Sequence, residues 1–221
     1  MNKKYLNVPY YIWGLFLVSS LVFIFFPQID IFVTSLFYED GTFPANKTWL
    51  EEFFYHSVQP IIIALSLASL ALFAYNFFTK KAVLNINAKV VLYLLLVLGL
   101  APGLIVNATL KDNWGRARPA ETLNFGGTKE FTPAFIPSTQ GGYSFSSGHA
   151  AAAFSLIGFA LLAKNRRKFW MTLALAYGVF VSIARVSAGG HFFSDVVTSF
   201  FIVYIFTYIF YGLLIKEKSD A

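Results

Sequence analysis

The chain alternates long apolar runs with short polar segments. Six runs, at roughly 9–26, 58–79, 88–110, 148–163, 169–187 and 195–215, approach the length of about 20 residues that a helix needs to cross a bilayer. The fourth is short, and it is expected to begin in the headgroup region or to borrow length from its flanks. The pattern predicts an all-α fold, a polytopic membrane bundle of six transmembrane helices. No internal repeat or low-complexity linker interrupts it, so residues 1–221 are read as a single membrane-embedded domain. The first run resembles a signal sequence. It ends in Pro27-Gln28-Ile29-Asp30 with no small-x-small cleavage site, so it is expected to be retained as a helix.

Composition supports this reading. Hydrophobic residues make up 57% of the 221 positions and charged residues 13%, where a soluble protein has about a quarter charged. The 26 Phe and 12 Tyr suit lipid contact and interfacial belts. The absence of cysteine excludes a disulfide framework, a thiolate zinc site and a thiol nucleophile.

The net charge of +6 sits in short clusters between apolar runs, which marks topology and gives no face for nucleic acid. With six helices, both termini share a side with the loops at 80–89 and 164–168. That side carries Lys3, Lys4, Lys80, Lys81, Lys89, Lys164, Arg166, Arg167, Lys168, Lys216 and Lys218, against only Glu217 and Asp220. The positive-inside rule makes it cytoplasmic, so the other side faces outward.

Two outward segments stand out. Residues 27–57 are acidic and aromatic, and 48–56 are expected to form a short helix lying in the interface. Residues 111–147 are rich in Gly, Pro, Ser and Thr, and an unpatterned connection of that length is usually functional or disordered. Its aromatics, Trp114, Phe125, Phe131, Phe135 and Tyr143, are candidates to gate or read a lipid.

The outward ends of the third to sixth runs gather an unusual set of polar residues. Lys111, Arg118 and Arg185 supply three fixed positive charges, the inventory for binding a phosphate and stabilising its transition state. Ser147 and Gly148 open the fourth run, where free N–H groups and the helix dipole favour an anion. His191 and Asp195 are four apart, one helical face, so the carboxylate can hold one ring nitrogen and leave the other free. His149 brings a second histidine, and two histidines with opposite jobs fit a two-step displacement.

Each residue also has a plainer reading. Isolated cations are commonly snorkelling helix-end anchors, and Arg116 is read that way. His56 has no partner near it in sequence and is read as structural. The Ser146-Ser147-Gly148 stretch can serve close helix packing, Gly189-Gly190 a turn, and His191 with Asp195 a helix cap. These readings require the whole set to share one membrane face by coincidence, and the functional reading is preferred. Two histidines and an aspartate are also zinc-ligand types, but three nearby cations repel a divalent ion, so no metal is expected.

The same residues carry a family resemblance. KDNWGRARP at 111–119 matches the K-x6-R-P signature of the type 2 phosphatidic acid phosphatase (PAP2) superfamily. SSGH at 146–149 resembles its P-S-G-H signature, and RVSAGGHFFSD at 185–195 matches S-R-x5-H-x3-D from the arginine onward. The resemblance implies that Lys111, Arg118, Arg185, Ser147 and Gly148 bind phosphate. It implies His191 as the nucleophile that becomes phosphorylated, Asp195 as its orienter and His149 as the acid for the leaving group, with no metal or other cofactor. Ser146 stands where the family usually has Pro, and Ala184 where it usually has Ser.

Within the superfamily, APGLIVN, KDNWGRARP and GGHFFSDVV look most like bacterial lipid A phosphatases. The implied protein is an inner-membrane lipid phosphatase with cytoplasmic termini and a periplasmic site. The implied substrate is a phosphate monoester of lipid A, with undecaprenyl diphosphate and phosphatidylglycerol phosphate as alternatives. A lipid-phosphate transporter is the non-enzymatic alternative, although transporters place polar sites near the midplane and these charges cluster at one edge. The sequence carries no sign of oligomeric state.

Overall fold

A computed structural model of the protein describes residues 4–216. Lys3, Glu217, Lys218 and Asp220 of the charge pattern lie outside those residues. All six predicted runs are helical. A small antiparallel hairpin, Lys4–Tyr5 with Val8–Pro9, precedes α1 (Tyr10–Phe25) and is a minor departure from the all-α expectation. Pro27, with its fixed φ and missing N–H, ends that run. The chain re-enters helix as α2 (Gln28–Ser35) at 87° to α1.

The next helix corrects one expectation. Residues 48–56 do not form a separate interfacial helix. They begin α3, Trp49–Thr79, which runs unbroken for 31 residues. Thr48 caps it, its Oγ accepting from the Glu51 N–H, and Glu51 and Glu52 in the first turn suit the positive end of the helix dipole. These polar residues hide the helix start from a hydropathy reading. Asn76 closes the far end by donating to the carbonyls of Val83 and Ile86 and accepting from the Val83 N–H.

The remaining helices are α4 (Ala88–Trp114), α5 (Gly148–Leu162), α6 (Arg167–Ser187) and α7 (Phe193–Ile215). From Leu96 to Lys111, α4 is wound as a π-helix around Pro102, which has no N–H to give an α-helical ladder. Helices α3, α4, α6 and α7 are each long and apolar enough to cross a membrane. The bent pair α1–α2 qualifies together, and α5 is shorter, as its run predicted.

Helix α5 sits at the centre against α4, α6 and α7. Its Ala150, Ala151 and Ala153 are fully buried, and such small residues let helix backbones approach closely. At Gly178 of α6 a Cβ would lie 2.3 Å from the Phe154 ring of α5. Phe16 of α1 packs against Phe201 of α7, with ring centroids 5.3 Å apart.

The 111–147 segment is ordered. Short 3-10 turns at Pro119–Glu121 and Leu123–Phe125 and a bridge between Gly115 and Gly142 shape it. Four of its five flagged aromatics turn inward: Phe125 onto Tyr38 and Phe43, Phe131 onto Phe192, and Trp114 and Phe135 onto Phe145. Tyr143 alone of the five is exposed.

Replacing Gly178 with Ala should therefore force α5 and α6 apart at Phe154. A loss of about 1–3 kcal/mol is expected for such overpacking, read as a lower thermal midpoint in detergent.

Candidate active site

The site is built where the ends of α4 and α6 meet the starts of α3, α5 and α7. Its deepest element is Arg116, which is 0% exposed. A buried guanidinium must find an acceptor for each charged edge, and Arg116 does so with partners from distant parts of the chain. It donates to Asp30 of α2 at 2.8 Å, to Asp195 of α7 at 2.5 Å, to the Ser194 hydroxyl at 2.9 Å and to the Thr132 carbonyl at 2.8 Å. Its face lies 4.4 Å from the Phe192 ring centroid. The reading of Arg116 as a snorkelling anchor is thus overturned, because two buried carboxylates and the ring of Phe192 enclose it. Burial opposes its charge, yet Asp195 and Asp30 outweigh that and hold the guanidinium more firmly protonated than usual.

Asp195 is shared four ways. It occupies the first turn of α7, where one oxygen accepts the Phe192 N–H at 2.8 Å in the manner of a cap. The same oxygen accepts the Ser144 hydroxyl at 2.5 Å, and the other takes Arg116. His191 lies in the turn before α7, with Nδ1 3.6 Å from the carboxylate. At that distance Asp195 acts on the ring through its charge.

The direct partner of Nδ1 is the Ser144 carbonyl at 2.7 Å. A carbonyl only accepts, so Nδ1 carries the proton and Nε2 keeps its lone pair. The expected helical pairing of His191 with Asp195 is corrected in this detail, since Gly189-Gly190 interrupts the helix before His191. Gly189 makes the turn at φ +68°, and Gly190 leaves room for the Arg185 guanidinium, 2.3 Å from where a Cβ would stand.

The three predicted cations converge. Lys111 at the end of α4 lies close enough to Arg118 and Arg185 to feel both charges. Arg185 is pinned to Glu51 of α3 at 2.6 Å and lies over the Tyr55 ring at 4.7 Å. Its Nε is buried with no hydrogen-bond partner among the described residues. Lys111 and Arg118 have no carboxylate partner among the described residues.

His149 stacks on Tyr55 with centroids 4.3 Å apart and feels the charges of Arg185, His191, Lys111 and Arg118. Ser147 caps α5 through Ala150, and the space beside Gly148 is taken by the Asn107 side chain. His56 is exposed, with its ring edge-on to Tyr55 at a centroid distance of 4.9 Å. Burial pushes the His191 imidazole below its ordinary value; the charge of Asp195 resists, and Arg185 and Arg118 add to the depression.

A paired histidine beneath three converging cations is chemistry for a phosphate ester, and the relatives of this chain agree. A profile of the PAP2 superfamily matches residues 90–218. The chain belongs to the PAP2 superfamily. It is 32% identical to a lipid A 4'-phosphatase of Francisella tularensis subsp. novicida (strain U112), across 90% of this chain and 92% of that one. A lipid A 4'-phosphatase of Rhizobium leguminosarum is 30% identical, over 80% and 83% of the two chains. The crystal structure of a transmembrane PAP2-type phosphatidylglycerolphosphate phosphatase from Bacillus subtilis shares the fold. Its TM-score is 0.62 at 21% identity, over 94% of this chain and 96% of that one. This PAP2 protein is therefore a membrane phosphatase homologous to lipid A 4'-phosphatases.

Sequence reasoning missed Asp30, Glu51, Tyr55, Ser144 and Ser194, and misread Arg116. The available signal was the Arg-x-Arg spacing before Pro119. A residue before proline is biased to extended backbone, where positions two apart share a face. Arg118 is extended at φ −76°, ψ 155°. Truncating Arg116 to Ala should cost about 3–5 kcal/mol, because two buried carboxylates lose their cation. A sharply lower thermal midpoint, with His191→Ala far less affected, is the expected comparison.

Proposed function

We propose that this phosphatase removes a phosphate monoester from lipid A at the periplasmic face of the bacterial inner membrane, through a phosphohistidine on His191 and without a metal. The observation that carries the reading is His191 Nδ1 at 2.7 Å from the Ser144 carbonyl, which leaves Nε2 free near Arg185 and Arg118, with Lys111 beside those two cations. The identity to lipid A 4'-phosphatases supports the substrate. The charge pattern supports six crossings, with α1–α2 and α5 completing the four long helices, cytoplasmic termini and one membrane-embedded domain.

Lys111, Arg118 and Arg185 hold the non-bridging oxygens, with Ser147 and the Gly148 backbone beside them. The Nε2 lone pair of His191 forms a bond to phosphorus as the bond from phosphorus to the lipid oxygen breaks. Protonated His149 gives its proton to that departing oxygen. The phosphorylated ring keeps its Nδ1 proton on the Ser144 carbonyl and carries positive charge, which Asp195 faces. Neutral His149 then takes a proton from water, the water oxygen attacks phosphorus, and the P–N electron pair returns to Nε2. Three cations would supply the charge that a Lewis acid supplies elsewhere.

Phosphate release from lipid A, undecaprenyl diphosphate, phosphatidylglycerol phosphate and phosphatidic acid tests this in detergent with excess EDTA. Release should survive EDTA, disappear in His191→Ala and favour lipid A. Preference for another lipid would overturn the substrate, and loss on EDTA addition would overturn the metal-free mechanism.

The dependence on pH should be bell-shaped, since His191 must be neutral while His149 is protonated. A lowered His191 value keeps that ring neutral to lower pH, so its acid limb in kcat/KM should fall below about 6.5. A limb at or above that value would contradict the depressed nucleophile.

A further inference from the structure

The charge around His191 does not balance in the resting site. Two carboxylates, Asp30 and Asp195, flank one guanidinium, and all three are essentially closed off from solvent. Asp30 accepts three hydrogen bonds: from Arg116 at 2.8 Å, the Ser194 N–H at 2.8 Å and the Ser194 hydroxyl at 2.5 Å. An ionised carboxylate is an acceptor only, and this set of donors suits that form. Without Asp30, Arg116 would be fully matched by Asp195, leaving His191 to face a neutral pair. With Asp30 ionised, the form its three donors suit, the trio carries one negative charge that nothing inside it neutralises.

The geometry points to Asp30 as a positioning residue for the phosphohistidine step, working through Arg116. It holds half of the guanidinium's charge away from Asp195, so that the Asp195 carboxylate stays available to the His191 ring as that ring becomes cationic. The inference rests on the proposed role of His191 as nucleophile. No part of the three family signatures contains Asp30; it comes from α2, and its interactions span 86 and 164 positions of sequence.

The electrostatic setting defines a signature that simple loss of packing lacks. His191 faces Asp195 of α7, Arg185 of α6, Arg118 of the 111–147 segment and His149 of α5; Arg116 lies behind Asp195, and Lys111 of α4 lies beside Arg118, Arg185 and His149. Asp30 of α2 stands behind Arg116, and Glu51 of α3 behind Arg185. Among these, removing the Asp30 charge makes the surroundings more positive without touching a phosphate ligand or the Asp195 carboxylate that faces His191. The cationic ring is then less favoured both as the phosphohistidine and as the ordinary imidazolium. Chemistry should slow, while the acid limb of the pH profile should move down.

The test compares Asp30→Asn, Asp30→Ser and Asp30→Glu in the full-length protein, using kcat and KM on the preferred lipid phosphate, the acid limb of kcat/KM and the thermal midpoint. The neutral variants should lose about tenfold or more in kcat, with KM within about twofold and the limb lowered by roughly half a pH unit or more. Asp30→Glu should keep the wild-type limb. A folded neutral variant with an unshifted limb overturns the proposal. So does failure of both neutral variants to fold, because the charge then serves stability alone. If wild-type protein shows no His191-dependent release, the phosphatase mechanism itself fails, and that result is distinct from an active wild type whose limb ignores Asp30.

Discussion

Enclosing a guanidinium completely is tolerable only when buried anions and acceptors surround it, and removing one partner of such a pair is far worse than never building it. Arg116 imposes that condition on this fold. Its partners come from α2, from the start of α7 and from the strand of chain that leads to Thr132, so these parts must meet around one side chain. The 87° bend at Pro27 lays α2 across the start of α7, where Asp30 also accepts the Ser194 N–H. That N–H is one of the unpaired donors at a helix start, so the same carboxylate closes a charge requirement and a capping requirement. The 111–147 segment is drawn down over the site by the same guanidinium.

A second ion pair organises the opposite wall. Glu51 fixes Arg185, Tyr55 supports its guanidinium face, and Tyr55 also stacks on His149. The first two turns of α3 thus set both Arg185 and the second histidine. Arg185 is held in advance, which lowers the entropy of ordering it around a ligand, and its buried Nε remains unmatched. Lys111 and Arg118 differ, having no carboxylate partner among the described residues.

What was legible in the sequence was what is local. Apolar blocks located the helices, and motifs at fixed spacing located Lys111, Arg118, His149, Arg185, His191 and Asp195, all of which the fold brings to one end of the bundle. Partners separated by 79 to 164 positions left no such trace: Asp30 looked like part of an acidic loop and Arg116 like an interfacial cation. The start of α3 was hidden for a related reason. Hydropathy treats Glu51 as a surface residue, but its charge is needed inside by Arg185. The orientation of His191 was also misjudged, because a carbonyl of the distant Ser144 holds the ring more directly than the aspartate four residues away.

A site that gathers cations for an anion beside a carboxylate facing a histidine meets a conflict, since its positive and negative groups will neutralise one another if they are free to meet. The Gly-Arg-Ala-Arg-Pro stretch resolves it by spacing. Arg116 is buried and taken by Asp30 and Asp195 together, while Arg118, two positions on, is only partly buried. With both carboxylates committed there, neither is within ion-pair distance of Arg118, which stays unmatched for an anion. Arg185 is treated in the opposite way, with Glu51 matching its charge on one side while its Nε is left open. The ordering of charge in this enzyme is therefore a sorting problem. A lone arginine in place of the pair would have to choose between pairing with the buried aspartates and staying open to an anion.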